Sequence, residues 1–312
     1  MKWQTDSKIL IQGITTPLGT EYGKRMKDFG TNIVAGISLN GEDSQIEGVP
    51  VFNLVEQAIK EVGSINISLI FNPPYLVLDA ALEAMAAGIK QLVIVSSGVP
   101  PLDMLRILRQ AEISNAFILG PGSQGLIIPN KFWLGICEPK FYCPGKVGII
   151  GRGDRLLDEV ARKLTENKLG QSLAVSLGTN GVIGSNFEQW LQTMEEDDTI
   201  EVIVLLGQAN NSAELAAAEY ISSAIEKPVI AYITGLYAPV EQSFRDAKTI
   251  VATQLNSSIS QTVKQSTTIT ALKKAKAKLA QRLGDIPKLV KSSIPGNTQQ
   301  TRGRRKKPED DQ

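Results

Sequence analysis

Short, continuously apolar runs alternate with helical patterns along most of this chain, and no other feature restricts its fold as strongly. Lys8–Gln12, Asn32–Ser38, Ile67–Asn72, Gln91–Ser96 and Phe117–Leu119 read as strands, with helices over Glu21–Phe29, Leu54–Val62, Val77–Ala87 and Leu102–Ala111 between them. Strands that are apolar at every position, not at every second one, are buried on both faces. The pattern therefore predicts repeated βα units around a parallel sheet. After a proline- and glycine-bearing stretch, Cys137–Gly145, a second series begins. Its strands are Lys146–Gly151, Ser172–Leu177, Glu201–Gly207 and Val229–Thr234, and its helices Leu156–Lys168, Asn186–Met194 and Ala213–Ile225. The expected fold class is α/β, with two tandem doubly wound domains at residues 1–140 and 145–255.

At 312 residues and 42% hydrophobic side chains, the chain has enough apolar surface for two cores. No apolar run reaches the roughly 18 residues a membrane span requires, and the polar start Met1–Asp6 lacks a secretory apolar region, so a cytoplasmic protein is expected. Cys137 and Cys143, separated by EPKFY, fit neither a redox pair nor a metal knuckle. They are expected as free thiols, and no metal site is predicted. Histidine is absent altogether. Without an imidazole, the chain by itself has no histidine base, ligand or phosphoryl carrier.

The net charge of +1 hides an asymmetry. From Asn256 onward there are 13 Lys and Arg against 4 Asp and Glu, while the preceding residues hold 20 against 28. Within this basic end, Ala271–Leu283 reads as a Lys-rich helix with Leu272, Ala275, Leu279 and Leu283 along one face. Residues 256–296 are thus expected as a basic helical extension and 297–312 as a disordered tail. Such an end is suited to an acidic partner, an anionic membrane surface or nucleic acid, or is simply a solvated terminus.

The first strand leads into QGITTPLGTEYG, where a turn bearing Gly13 and Gly19 opens a helix. Backbone N–H groups and the helix dipole converge at such a junction to favour an anion. Thr16 before Pro17 makes a good N-cap and first-turn pair. The spacing is not G-x-G-x-x-G, and a capped helix without a ligand satisfies the same pattern.

An ordered set of segments goes further. ILIQGITTPLGT, GVPVFNLVEQAI, FNPP, ALEAMAAGIKQLVIVSSGVPPLDML, GPGSQGLIIP, PGKVGIIGRGDRLLDEV, GSNF and PVIAYITGLYAP follow one another between Lys8 and Ile250. This order and spacing resembles that of the α subunits of succinyl-CoA synthetase. The resemblance implies an N-terminal Rossmann-like CoA-binding domain, a C-terminal flavodoxin-like domain and a nucleotide-binding β subunit as partner. It also implies a histidine that is phosphorylated and relays the phosphoryl group to succinate.

That histidine is missing. In APVEQSFRDAKTI the resemblance places Asp246 at its position, between Arg245 and Lys248 in place of glycines, and the neutral Gln208 where the family has the carboxylate that steadies it. The family's phosphate loop S-R-S-G-T reads Gly151, Arg152, Gly153, Asp154, Arg155, and a second cradle, G-P-N-C-P-G, keeps its ends as Gly120 and Gly125. Asp158 falls where the family has a substrate-side tyrosine, and a carboxylate facing that site repels a dicarboxylate.

The CoA site implied by the resemblance comprises Gly13, Thr15, Thr16, Gly19 and Thr20 in the first loop, Ser38 in the next, and Ser96, Ser97 and Gly98 in VSSGVP. Gly41 stands where a CoA-contacting lysine is expected, followed by Glu42 and Asp43, whose charges oppose a polyphosphate. The sequence thus points to a catalytically degenerate α-like protein that binds CoA or another nucleotide and acts as a regulatory or interaction subunit. Two other readings stay open. In one, an active ligase carries phosphate on Asp246 or borrows a partner's histidine. In the other, a ligand-free scaffold docks through its basic end, and residues beyond Asn256 are dispensable for the folded core.

Overall fold

The structure, a computed structural model, describes residues 3, 5–38, 44–153, 155–179, 181–208, 212–234 and 265–294. The first sheet is built from β1 (Ile9–Gln12), β2 (Ile33–Ile37), β3 (Gln45–Ile46), β4 (Val49–Phe52), β5 (Ile67–Ile70), β6 (Gln91–Ile94) and β7 (Phe117–Leu119). Helices α1 (Pro17–Phe29), α2 (Val55–Val62), α3 (Val77–Ala86) and α4 (Pro101–Ser114) connect its strands. The strand order is β3-β4-β2-β1-β5-β6-β7. All pairs are parallel except the short β3–β4 hairpin. Chain order reverses at β1, which opens a crevice at the carboxyl ends of β1 and β5, the place where doubly wound sheets bind ligands.

The second sheet contains β8 (Gly125–Ile128), β9 (Phe132–Gly135), β10 (Pro144–Gly151), β11 (Gln171–Ser176), β12 (Val202–Gln208), β13 (Val229–Thr234) and β14 (Lys278–Leu279). Its helices are α5 (Leu156–Glu166), α6 (Phe187–Glu195), α7 (Ser212–Ala224), α8 (Gln265–Lys274) and α9 (Ile286–Lys291). The order is β14-β13-β12-β10-β11-β8-β9. Its parallel portion, β11-β10-β12-β13-β14, has the flavodoxin-like arrangement, with the reversal between β10 and β12. The two-sheet α/β expectation holds.

Three features depart from the expectation. The hairpin β8–β9 lies within the stretch taken from sequence as the first domain, yet β8 pairs antiparallel with β11 of the second sheet. Close approach of the hairpin strands depends on Gly125 and Gly135, both at positive φ; a Cβ on Gly125 would come 1.8 Å from the Leu134 carbonyl oxygen. The small β3–β4 hairpin also escaped the sequence pattern.

The helix expected over Ala271–Leu283 is divided. Helix α8 stops at Lys274, Lys276 takes the left-handed φ of 59°, and the chain then enters β14 and a 3-10 turn, Leu283–Asp285. Ala280 N–H donates to the Ala231 carbonyl on β13 at 2.9 Å. Leu272, Ile286 and Val290 are fully buried. This basic segment therefore completes the second sheet and its core, which corrects the view that everything beyond Asn256 is dispensable. Residues 295–312, including RGRRKK, lie outside the described residues.

The two sheets share one apolar core. Trp3 stacks on Trp190 at 5.9 Å, and Phe117 meets both rings edge-on. On the other flank Arg25 lies over Tyr22 and Trp133, 5.1 and 5.5 Å from their centroids, and its guanidinium pairs with Glu138 at 2.7 Å. These contacts hold the connecting stretch against α1.

Candidate functional site

The first crevice is built on a tightly wound turn. Gly13, at φ +78°, redirects the chain leaving β1, and its carbonyl accepts both the Thr16 N–H at 3.0 Å and the Thr16 hydroxyl at 2.7 Å. Thr16 Oγ1 in turn accepts the Gly19 N–H at 3.1 Å, which caps α1, and Pro17 follows at the first helical position. Gly19 is a close-packing glycine, because a Cβ there would fall 2.2 Å from the Gly13 oxygen. The Thr20 hydroxyl donates to the Ile14 carbonyl at 2.7 Å. The hydroxyl hydrogens of Thr16 and Thr20, expected from sequence to serve a ligand, thus shape the turn. Thr15 is exposed on it, and its hydroxyl receives a long 3.4 Å contact from the buried Ser38.

Two further loops meet this turn. Asn72 follows β5, and the Ser96 hydroxyl donates to its backbone carbonyl at 2.5 Å. Ser97 and Gly98 are exposed beyond Ser96, with Gly98 at φ +76°. The structure thereby gathers Gly13, Thr15, Thr16, Gly19, Thr20, Ser38, Ser96, Ser97 and Gly98 at one edge of the first sheet. Asn72, which the sequence reading did not single out as a site residue, sits among them. The residue is only 6% exposed, and its Oδ1 finds no hydrogen-bond partner among the described residues. The helix entries on this edge carry exposed apolar side chains, Leu18 on α1, Tyr75 after β5 and Leu102 on α4.

The second crevice lies at the ends of β10 and β12. Arg152 is buried there, with its backbone N–H on the Leu206 carbonyl at 3.0 Å. Gln208 ends β12, and its N–H donates to Glu214 Oε1 at 2.8 Å. Glu214, on the first turn of α7, is fully buried, and its Oε2 has no partner among the described residues. Burial raises the Glu214 pKa against the pull of the Gln208 N–H and Arg152, and burial lowers that of Arg152 against the pull of Glu214. An acid in this crevice was legible in the helical pattern only as part of α7. Asp246 and Asp154 lie outside the described residues, as do Gly41, Glu42 and Asp43.

One buried segment ties the crevices together. Gly122 N–H donates to the Ser96 carbonyl at 2.9 Å, and the Ser123 hydroxyl to the Ser176 carbonyl. Leu177 N–H then reaches the Gly151 carbonyl at 2.9 Å. The stretch compared above with a second phosphate cradle therefore acts here as a strap, its serine hydroxyl spent on the protein itself. Asp158 also departs from expectation. It is 6% exposed and accepts the Tyr142 hydroxyl at 2.7 Å and the Glu138 N–H at 3.3 Å, so it faces the interdomain connection and not a substrate. Cys137 and Cys143 are free thiols; burial raises the Cys137 pKa well above the ordinary thiol value.

Comparison with known proteins agrees with this geometry. A CoA binding domain profile matches residues 4–98. The succinate–CoA ligase [ADP-forming] subunit alpha of Aquifex aeolicus is 37% identical over 248 residues, covering 79% of this chain and 81% of that protein. The chain belongs to the succinate–CoA ligase α-subunit family. Subunit alpha 2 from Archaeoglobus fulgidus is similarly 36% identical over 245 residues, 78% of this chain and 85% of its own. Among solved structures, this α-subunit relative superposes on an ATP citrate lyase from Methanothrix soehngenii in complex with citrate and coenzyme A. The TM-score is 0.78 at 19% identity, covering all of this chain and 53% of that one. It likewise superposes on a dinucleotide-forming acetyl-coenzyme A synthetase from Ca. Korarchaeum cryptofilum, with TM-score 0.70 and 18% identity over 90% of this chain and 59% of that one. The chain spans little more than half the length of these larger proteins, whose likeness establishes the shared fold.

Proposed function

We propose that this α-subunit relative binds CoA in its first crevice but does not run the family's phosphohistidine relay, and that it works as a regulatory or interaction subunit beside a β-like partner in the cytoplasm. The observation that carries this reading is the complete absence of histidine from 312 residues. A relay through imidazole has no group to act on, and the neutral Gln208 at the steadying carboxylate position is consistent with that loss.

CoA fits the first crevice by its chemistry. Its phosphates need N–H and hydroxyl donors, which the N-terminus of α1, Thr15 and Ser97 supply. Gly13 permits close backbone approach, and the apolar surface of Leu18, Tyr75 and Leu102 suits the uncharged parts of the molecule. In this reading the chain's residues bind and orient CoA, while any phosphoryl chemistry belongs to another protein.

The test is to incubate the purified protein with ATP, CoA, succinate and a family β subunit. The expected result is no succinyl-CoA above a no-protein control and no phosphate incorporated into this chain. Turnover would overturn the proposal. Label that is abolished by Asp246→Asn would instead establish the active ligase in which an aspartyl phosphate replaces phosphohistidine.

A further inference from the structure

The amino ends of the second sheet carry a groove that neither crevice uses. It encloses about 570 Å³ between α6, the turn after β8 and the start of β11, over an apolar floor of Trp3, Ile128 and Leu173. Its rim is charged on two sides. Glu196, Asp197 and Asp198, in the loop from α6 to β12, stand on one side, and Lys131 stands on the other. None of these four side chains forms an ion pair among the described residues. Lys227, which packs against the acidic loop, gives its ammonium to the Met194 and Asp197 backbone carbonyls. Glu196 accepts the Gln192 amide, and Asp197 accepts the Thr199 N–H and hydroxyl. The loop is thus shaped by neutral donors, and its negative charge stays uncompensated.

The described chain leaves off at the same end of the sheet. Ile294 is the last described residue, and Ser293 beside it accepts the Lys278 ammonium at 2.7 Å, at the amino end of β14. Between β14 and β11 the sheet has four strand spacings, about 19 Å. Arg302 is eight residues beyond Ile294 and Lys307 thirteen, reaches of roughly 26 and 43 Å in an extended chain. Length therefore permits contact with the groove. Charge favours it, because the segment reads RGRRKK over residues 302–307 and EDD over 309–311, a basic block followed by an acidic one. Carboxylates on one rim and an ammonium on the other match both blocks. Long Arg and Lys stems also cover an apolar floor while their charged heads stay at its edge.

We propose that the groove is the docking site of the chain's own C-terminal segment, with Arg302–Lys307 against Glu196–Asp198 and Glu309–Asp311 towards Lys131. A short tether holds such a segment at roughly millimolar effective concentration, which favours its own groove over that of a second copy. Docking withholds its five basic side chains from other anionic surfaces, so a stronger anion must displace the segment before it serves a partner. The proposal does not depend on what the two crevices bind.

The experiment times trypsin cleavage within residues 302–307 of the full-length protein against a synthetic peptide of residues 297–312. Wild type is compared with the double variant Glu196→Gln, Asp198→Asn, whose replaced side chains are both exposed, and with Lys131→Glu on the opposite rim. Cleavage of the wild type should be about three- to tenfold slower than that of the peptide in roughly 0.05 M salt, the scale of a few exposed ion pairs. This protection should vanish in roughly 0.5 M salt, which needs no substitution, and in both variants. Cleavage of the wild type at the peptide's rate would overturn the proposal, as would protection that survives both high salt and the loss of rim charge. Carbodiimide coupling on a mixture of isotopically light and heavy protein identifies the occupant. Links from Lys306 or Lys307 to Glu196 or Asp198 are expected within one chain; links found only between chains would overturn the intrachain assignment in favour of a second copy.

Discussion

The Tyr142 hydroxyl donates to Asp158 Oδ1 at 2.7 Å inside the connection between the two sheets, and both residues are buried. Removing the donor leaves a buried carboxylate that keeps the longer 3.3 Å bond from Glu138 N–H. Tyr142→Phe should therefore destabilise the protein by about 1–3 kcal/mol, read as a lowered urea midpoint. Stability within error of wild type would show that the pair contributes nothing net.

Glu214 makes a distinct prediction about pH. Burial raises its folded-state pKa above the ordinary glutamate value, so between the two values the folded form binds more protons than the unfolded form. Its contribution to stability consequently improves as pH falls through the raised folded value and is complete once pH passes below the unfolded value of about 4.3. Glu159, which Arg162 and Lys163 hold below its ordinary value, acts in the opposite sense, so total stability is a poor readout. The informative quantity is the difference between wild type and Glu214→Gln. It should shift in favour of the wild type as pH is lowered from 7 towards 4 in denaturant titrations; a pH-independent difference would refute the assignment.

Gly19→Ala tests the turn itself. A methyl group 2.2 Å from the Gly13 oxygen forces the α1 entry apart and displaces the Thr16 cap. The expected cost is about 1–3 kcal/mol of stability, together with loss of calorimetrically detectable CoA binding. Binding that survives the substitution would place the ligand elsewhere.

The C-terminal segment should behave as core. Ile286→Ala and Leu272→Ala each remove a fully buried side chain beneath the β13–β14 edge and should cost about 2–5 kcal/mol. Truncation before Gln265 should expose this surface and accelerate amide exchange along β13. If the truncated protein melts with the wild type, the segment is an appendage after all.

Much of the fold was legible because its strands are buried on both faces. Ile9–Gln12 and Ile67–Ile70 are buried at every position, and the uninterrupted apolar runs reported that directly. Two-residue strands such as Gln45–Ile46 and Lys278–Leu279 offer no period to detect. The Ala271–Leu283 stretch kept a helical spacing of apolar residues, but the left-handed turn at Lys276 and the free edge of β13 turned its middle into a strand. Gly13, Thr16 and Gly19 could be read from the turn chemistry. Asn72 lay in FNPP, one segment of the ordered set, but nothing in that motif singled it out; its depth and the lack of a donor to Oδ1 among the described residues do.

Local sequence alone determined the α/β alternation, the capped entry of α1 and the absence of any imidazole, because propensity, turn chemistry and composition are properties of neighbouring residues or of the list itself. Pairing was decided in three dimensions. The Leu126–Leu134 contact register, the placement of that hairpin beside β11 and the inward turn of Asp158 all depend on what packs opposite, which residues distant along the chain supply. Tertiary structure likewise spent the Thr16 and Ser123 hydroxyls on the protein's own carbonyls and left Asn72 Oδ1 without a donor among the described residues. A polar group's availability depends on its neighbours in space, and these are established only when the sheets close.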